Sequence, residues 1–186
     1  MQLIVLVSGK AEAGKTLASN IIKENLEKEG KKVLKLSFAG YLKFIAKEYF
    51  GWNGKKDQEG RTLLQYLGTN VVRKKNPDFW VKTVYDLIYT FEDEFDYFIL
   101  DDTRFENEID YFHERDPFSY VSIRVNRVDF ENSLSLEQRL HPSETSLDGR
   151  QMDIELYSLS GKDNLENEIL FKVFQNKGRV LLGLNQ

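Results

Sequence analysis

A three-layer α/β sandwich, with a central parallel five-stranded sheet and helices on both faces, is the fold class that three observations predict. An apolar run, Leu3-Ile4-Val5-Leu6-Val7, leads into a glycine-rich turn and then into a stretch of helical spacing. Five short strand-like runs recur along the chain with helix-length segments between them, the alternation that builds a parallel sheet. The 186 residues are 41% hydrophobic and 13% aromatic, enough apolar surface for one core, so a single domain over 1–186 is expected.

Each element has its own signal. Residues 3–7 are continuously apolar, which suits a strand buried on both faces. After the turn, Leu17, Ala18, Ile21, Ile22 and Leu26 fall at helical spacing and Gly30 is a natural stop. Residues 32–38 alternate and predict a second strand, completing a βαβ unit. A helix is predicted over 41–50, then a polar, glycine-rich break over 51–60, then helices over about 62–75 and 78–90. "FDYFILDD" (95–102) predicts a third strand ending in two carboxylates. Residues 120–127 predict a fourth strand, 152–159 a fifth, and 163–176 one closing helix. The charged stretch 128–150 shows no strand pattern and is expected to be a mobile segment.

Composition narrows the function classes. Thirty acidic against 26 basic residues leave a net charge of −4, without the basic excess of a protein that binds a nucleic-acid polymer. Small anions remain candidate ligands, because a few local cations make a positive cleft on an acidic protein. The absence of cysteine excludes disulfides and thiolate metal sites. No run approaches the ~20 apolar residues of a membrane span, and a cytoplasmic location is expected.

Gly9-Lys10-Ala11-Glu12-Ala13-Gly14-Lys15-Thr16 fits the P-loop pattern G-x-x-x-x-G-K-[ST] in full. The glycines let the backbone curl so that successive N–H groups converge on phosphate oxygens. The following helix N-terminus adds its positive end. Lys15 reaches the terminal phosphates of a nucleoside triphosphate and the Thr16 hydroxyl ligates Mg²⁺. Leu17 completes the contact run. Glu12 is out of place beside phosphates unless its side chain turns away. Asp101 and Asp102 end the third strand at the sheet edge that faces the loop. There a carboxylate holds Mg²⁺ or orients the acceptor, and strand alternation would aim only one of the two inward. Arg104 is placed to neutralise charge during transfer.

With these two motifs, the stretches "LSFAGYLKFIA", "GRTLLQYLGTNVVRKKNPDFWV", "ILDDTRFENEID" and "HPSETSLD" make the chain resemble the phage-type deoxynucleoside monophosphate kinases, members of the P-loop NMP-kinase superfamily. The matching stretches span about 5–148. The chain departs from the family in having Gly40-Tyr41 where Asp-Pro is frequent, and Thr16 where Asp is frequent after the loop lysine. The resemblance implies transfer of the γ-phosphoryl group of ATP to a deoxynucleoside 5′-monophosphate, giving ADP and the diphosphate. It also implies ATP and Mg²⁺ as the cofactors, a homodimer, an NMP-binding helical region over about 38–90, and a lid over about 127–150. Asp102, which aligns with the family's D-x-R-F, is favoured over Asp101.

Roles for further residues follow from that resemblance. A monophosphate is a dianion carrying a flat base, so its site needs cations and an apolar slot. Arg61 and Arg73 match the family's two arginines; read alone they are exposed helix charges. Lys43 could hold the acceptor phosphate, and Gln65 offers an amide to a base or sugar edge. Phe38 and Trp80 are stacking candidates, core packing being their plainer reading. His141 and Glu144 of the H-x-S-E match would orient the acceptor. Arg127 and Arg139 would close over ATP. Phosphomevalonate kinases and dephospho-coenzyme A kinases are rival readings of the same chemistry. A nucleotide-dependent regulator, with no acceptor, is a rival of another class.

Overall fold

The computed structural model describes residues 2–114, 118–128, 130–159 and 162–184. Five parallel strands, β1 (Leu3–Ser8), β2 (Val33–Leu36), β3 (Tyr97–Thr103), β4 (Ser119–Arg127) and β5 (Ile154–Ser158), form one sheet in the order β2-β3-β1-β4-β5. β1 lies at the centre, so the turn that follows it opens at the middle of the sheet's carboxyl edge, where the strand order reverses.

The pleat of β1 explains the layering. Val5 and Val7 face one side with Ile21, Ile22 and Leu26 of α1 (Lys15–Lys28) and with Ile169 and Val173. Ile4 and Leu6 face the other, with Val84 and Ile88 of α4 (Phe79–Thr90) and Ile109 and Phe112 of α5 (Glu106–His113). Each face of the strand is therefore covered by helices, and a continuous apolar run rather than an alternating one is what such a strand requires.

A third cluster lies beyond the sheet. There α2 (Gly40–Tyr49), α3 (Gln58–Gln65) and a π-helical stretch (Tyr66–Arg73) pack Leu42, Ala46 and Leu67 against Trp80. The helix expected over 62–75 thus begins earlier and changes winding at Tyr66. Asp57 caps α3 by accepting the Gly60 N–H at 2.9 Å.

One other expectation is corrected. The closing helix is broken in two, α8 (Lys162–Lys172) and α9 (Asn176–Leu181). Leu182 and Leu184 of the chain end also reach the core, which a straight helix would carry past the sheet. The stretch 128–150 contains α6 (Leu136–Leu140) and α7 (Pro142–Thr145), each held by a local cap. Among the described residues no helix is long and apolar enough to cross a membrane.

Candidate active site

The turn after β1 is shaped by its glycines. Gly9 has φ +144°, and a Cβ there would stand 2.5 Å from the Val125 carbonyl oxygen of β4, so no larger residue fits. The loop wraps around its own lysine. Lys15 Nζ donates to Gly9 O at 2.9 Å and Lys10 O at 2.6 Å, and the side chain is almost fully buried. Burial pushes its pKa down to about 7, with the Arg104 charge adding to the effect and Glu144 and Asp102 opposing it. Glu12, with φ +64°, turns its carboxylate sideways. It accepts from Arg61 Nη2 at 2.5 Å, Ser133 Oγ at 2.7 Å and Ser133 N at 3.1 Å. Those donors, Ser133 foremost, hold its pKa below the usual carboxylate range.

Beside the loop, β1 and β3 pair regularly up to Leu6↔Leu100 and resume at Ser8↔Thr103. β3 therefore carries one extra residue, a bulge of the kind that re-aims side chains near a site. Its consequence corrects the expectation that one carboxylate alone faces the cleft: both Asp101 and Asp102 line it. Asp102 holds the turn after β2, accepting from Phe38 N at 2.8 Å, Ser37 Oγ at 2.5 Å and Ala39 N at 3.1 Å. Asp101 lies 3.4 Å from Lys35 Nζ.

The arginines of the cleft are each engaged by an acid. Arg104 Nη1 donates to Glu144 Oε1 at 2.5 Å and to Ser143 O at 3.1 Å. Glu144 Oε2 accepts the Ala11 N–H at 2.8 Å, so one carboxylate joins the loop, the residue that follows β3, and α7. Arg73 pairs with Glu108, and its guanidinium lies 3.9 Å over the Phe105 ring. Glu108 is 1% exposed and also accepts the N–H of Arg104 at 2.6 Å and of Phe105 at 3.1 Å. Burial raises its pKa to about 7, against the pull of Arg73 and those amides. Reaching back from the first turn of α5, it caps that helix and braces Arg73 together.

These groups surround one cavity of about 580 Å³. The loop and the start of α1 contribute Ala11, Glu12, Gly14, Lys15, Thr16 and Leu17; Phe38, Gln65, Arg73 and Trp80 come from the turn after β2 and the helical cluster; and Lys43, Arg61, Asp102, Arg104 and Glu144 also line it. Trp80 is buried, edge-on to Phe79, with its Nε1–H on Gly68 O at 3.1 Å. Gly9 and Lys10 line a neighbouring cavity of about 220 Å³, and Lys10 pairs with Asp148 and Glu144 O. Ala13 is buried in the loop.

Three expected residues lie off the cavity wall. His141 Nδ1 accepts the Ser143 N–H at 3.1 Å and caps α7, and burial lowers its pKa. Arg139 folds back onto Leu134 O and Asn132 O, both at 3.0 Å. Arg127 rests over Phe130 and reaches Glu12 O at 3.4 Å. None of the three lines the cavity. The segment containing them is docked, since Gln138 Nε2 donates to Gln58 O and Thr62 Oγ1 of α3. Sequence reasoning missed Glu108, whose only signal was its place in "RFENE", and Lys56, which sits in the polar break without any periodic cue.

Residues 35–157, more than half of the chain, match the family described as deoxynucleotide monophosphate kinase. No curated protein sequence matches. Among solved structures, a sugar kinase from Janibacter sp. HTCC2649 is similar in fold, with TM-score 0.53, 12% identity, and coverage of 91% of this chain and 93% of that one. An APS kinase from Mycobacterium tuberculosis, in complex with AMPPNP and APS, has TM-score 0.49 at 10% identity, covering 91% of this chain and 95% of that one. Shikimate kinase from Aquifex aeolicus has TM-score 0.47 at 9% identity, with coverage of 90% and 93%.

Proposed function

From the premise that the chain belongs to the deoxynucleotide monophosphate kinase family, we propose how its cleft divides the reaction between two nucleotides. The enzyme is a phosphotransferase that moves the γ-phosphoryl group of ATP to a deoxynucleoside monophosphate, giving ADP and the diphosphate. We assign the triphosphate to the loop of residues 9–17 and the monophosphate to the part of the cavity walled by Arg73, Gln65, Trp80 and Phe38. The observation that carries this division is that both sets of residues line one continuous cavity. A nucleotide-binding regulator would need the first set alone.

Loop amides and the α1 N-terminus receive the phosphates of ATP, and α1 has no acid in its first turn to oppose them. Lys15, placed within the loop, turns from its own carbonyls to the β- and γ-phosphates. Arg104, which lines the same cavity and pairs with the Glu144 carboxylate that also holds the loop, neutralises the phosphoryl group in flight. An acceptor oxygen bonds to the γ-phosphorus as the bond to the β-bridging oxygen breaks, with no covalent enzyme intermediate. No strong base is required, because the acceptor phosphate is already ionised near neutral pH.

Mg²⁺ fits the donors at the loop's mouth. They are oxygen only: the Thr16 hydroxyl and the Asp101 and Asp102 carboxylates, which suit a hard cation that shares its shell with phosphates and water. Asp102 Oδ1 accepts a single hydrogen bond and keeps a lone pair for that shell. Bound there, the ion would offset phosphate charge.

The test is ADP release with ATP and Mg²⁺ against the four deoxynucleoside monophosphates and their ribonucleotide counterparts. Acceptor-dependent ADP with at least one deoxynucleotide is the expected result. Slow hydrolysis indifferent to every acceptor would favour the regulator instead.

A further inference from the structure

We propose that Lys56 is a phosphate-binding residue of the acceptor site, its ammonium and that of Lys43 holding the 5′-phosphate of the deoxynucleotide between them. The inference deepens the kinase reading and rests on it.

The cavity's cations divide into two groups. Lys15 is occupied by loop carbonyls, Arg61 by Glu12, Arg73 by Glu108 and Arg104 by Glu144. Lys43 and Lys56 also line the cavity, and among the described residues neither ammonium has a hydrogen bond or ion pair. Bringing two such groups together beside Arg61 and Arg104 is unfavourable in the free protein. A dianion between them removes that repulsion and gains charge-assisted hydrogen bonds. Although Lys56 is exposed, partial desolvation and then Lys43, Arg61 and Arg104 already depress its pKa, with Asp102 opposing them.

Position 56 is also held in place. Trp52 Nε1 donates to Lys55 O at 2.8 Å, Asn53 Oδ1 accepts the Lys55 N–H at 2.8 Å, and Arg61 Nε donates to Lys56 O at 2.7 Å. Gly60 lets α3 approach so closely that a Cβ there would stand 2.2 Å from Lys55 O. A connection that was mere spacer would not need its backbone tied from three sides. The acceptor is favoured over ATP as the ligand because Lys43 and Lys56 project from α2 and the α2–α3 connection. Those elements belong to the helical cluster around Trp80, whereas the triphosphate has the loop amides, Lys15 and Thr16.

Lys56→Met keeps the stem and removes the charge; Lys56→Arg restores it; Lys47→Met, an exposed lysine of α2 outside the cavity, controls for net charge. Calorimetric affinities are measured for each deoxynucleoside monophosphate, its nucleoside and ATP, alongside steady-state kinetics. Lys56→Met should weaken monophosphate binding and raise acceptor KM about tenfold or more, leaving nucleoside and ATP affinities within twofold. Lys56→Arg should recover most of the loss and Lys47→Met show none. A monophosphate affinity within twofold of wild type, or an equal loss for ATP, would overturn the assignment while wild-type turnover left the kinase reading standing. A wild-type protein that bound no deoxynucleoside monophosphate would overturn both.

Discussion

Lys15 shows how one side chain can be tuned by the site that holds it. Its ammonium is enclosed by loop carbonyls, and burial leaves its pKa at about 7. A polyphosphate restores the charged form, so ATP binding should take up a proton above neutrality. The sign follows: the bound state holds more protons than the free state over the window above about 7, and apparent ATP affinity falls as pH rises through it. Calorimetry in buffers of different ionisation enthalpy would read the uptake directly. In Lys15→Met the uptake should vanish and kcat/KM should drop by about 10³ or more, an oxyanion-type loss. Retained proton uptake in that variant would place the titrating group elsewhere.

At the scale of elements, the α2–α3 connection is where geometry can be tested against propensity. Gly60 is helical rather than left-handed, so alanine there would ordinarily favour α3 by up to about 1 kcal/mol. The added methyl meets Lys55 O at 2.2 Å and Trp52 Nε1 at 2.7 Å, however, and backbone does not yield cheaply. Gly60→Ala should therefore cost about 1–3 kcal/mol in urea unfolding and raise acceptor KM by displacing Lys56. A stabilised variant with unchanged KM would show that the connection does not set the position of Lys56. The bulge in β3 works at the same scale. One extra residue brings both carboxylates of "LDDT" to the cavity, an outcome that strict alternation forbids.

Across the whole molecule, two buried titratable groups oppose each other. Glu108 has its pKa raised from 4.5 to about 7. Between those values the folded protein holds a proton that the unfolded chain has lost, so this residue lowers stability as pH rises through the window. Lys15, lowered from 10.5 to about 7, does the reverse: between about 7 and 10.5 the unfolded chain holds the extra proton and stability rises with pH. Together they make the nucleotide-free protein least stable near neutrality, as far as these two groups decide it. Melting temperatures at pH 5, 7 and 9 should show the acid-side decline in wild type and a smaller one in Glu108→Gln. Equal declines in both would remove Glu108 as its source.

Much of the architecture was legible in the residues alone. A continuous apolar strand, a glycine turn and an amphipathic helix dictate a βαβ start, because local spacing and burial on two faces permit little else. The loop of residues 9–16 and the carboxylates and arginine of 101–104 could be named for the same reason, since short-range pattern specifies short-range geometry. The bulge that admits both Asp101 and Asp102, the break between α8 and α9, and the partners that His141, Arg127 and Arg139 take were decided only in three dimensions. So were the bracing of Arg73 by Glu108 and the place of Lys56 in the cavity wall. Whether a charge is braced, buried or left without a partner depends on side chains 30 or more positions away, as with Arg73 and Glu108. No periodicity along the chain encodes that.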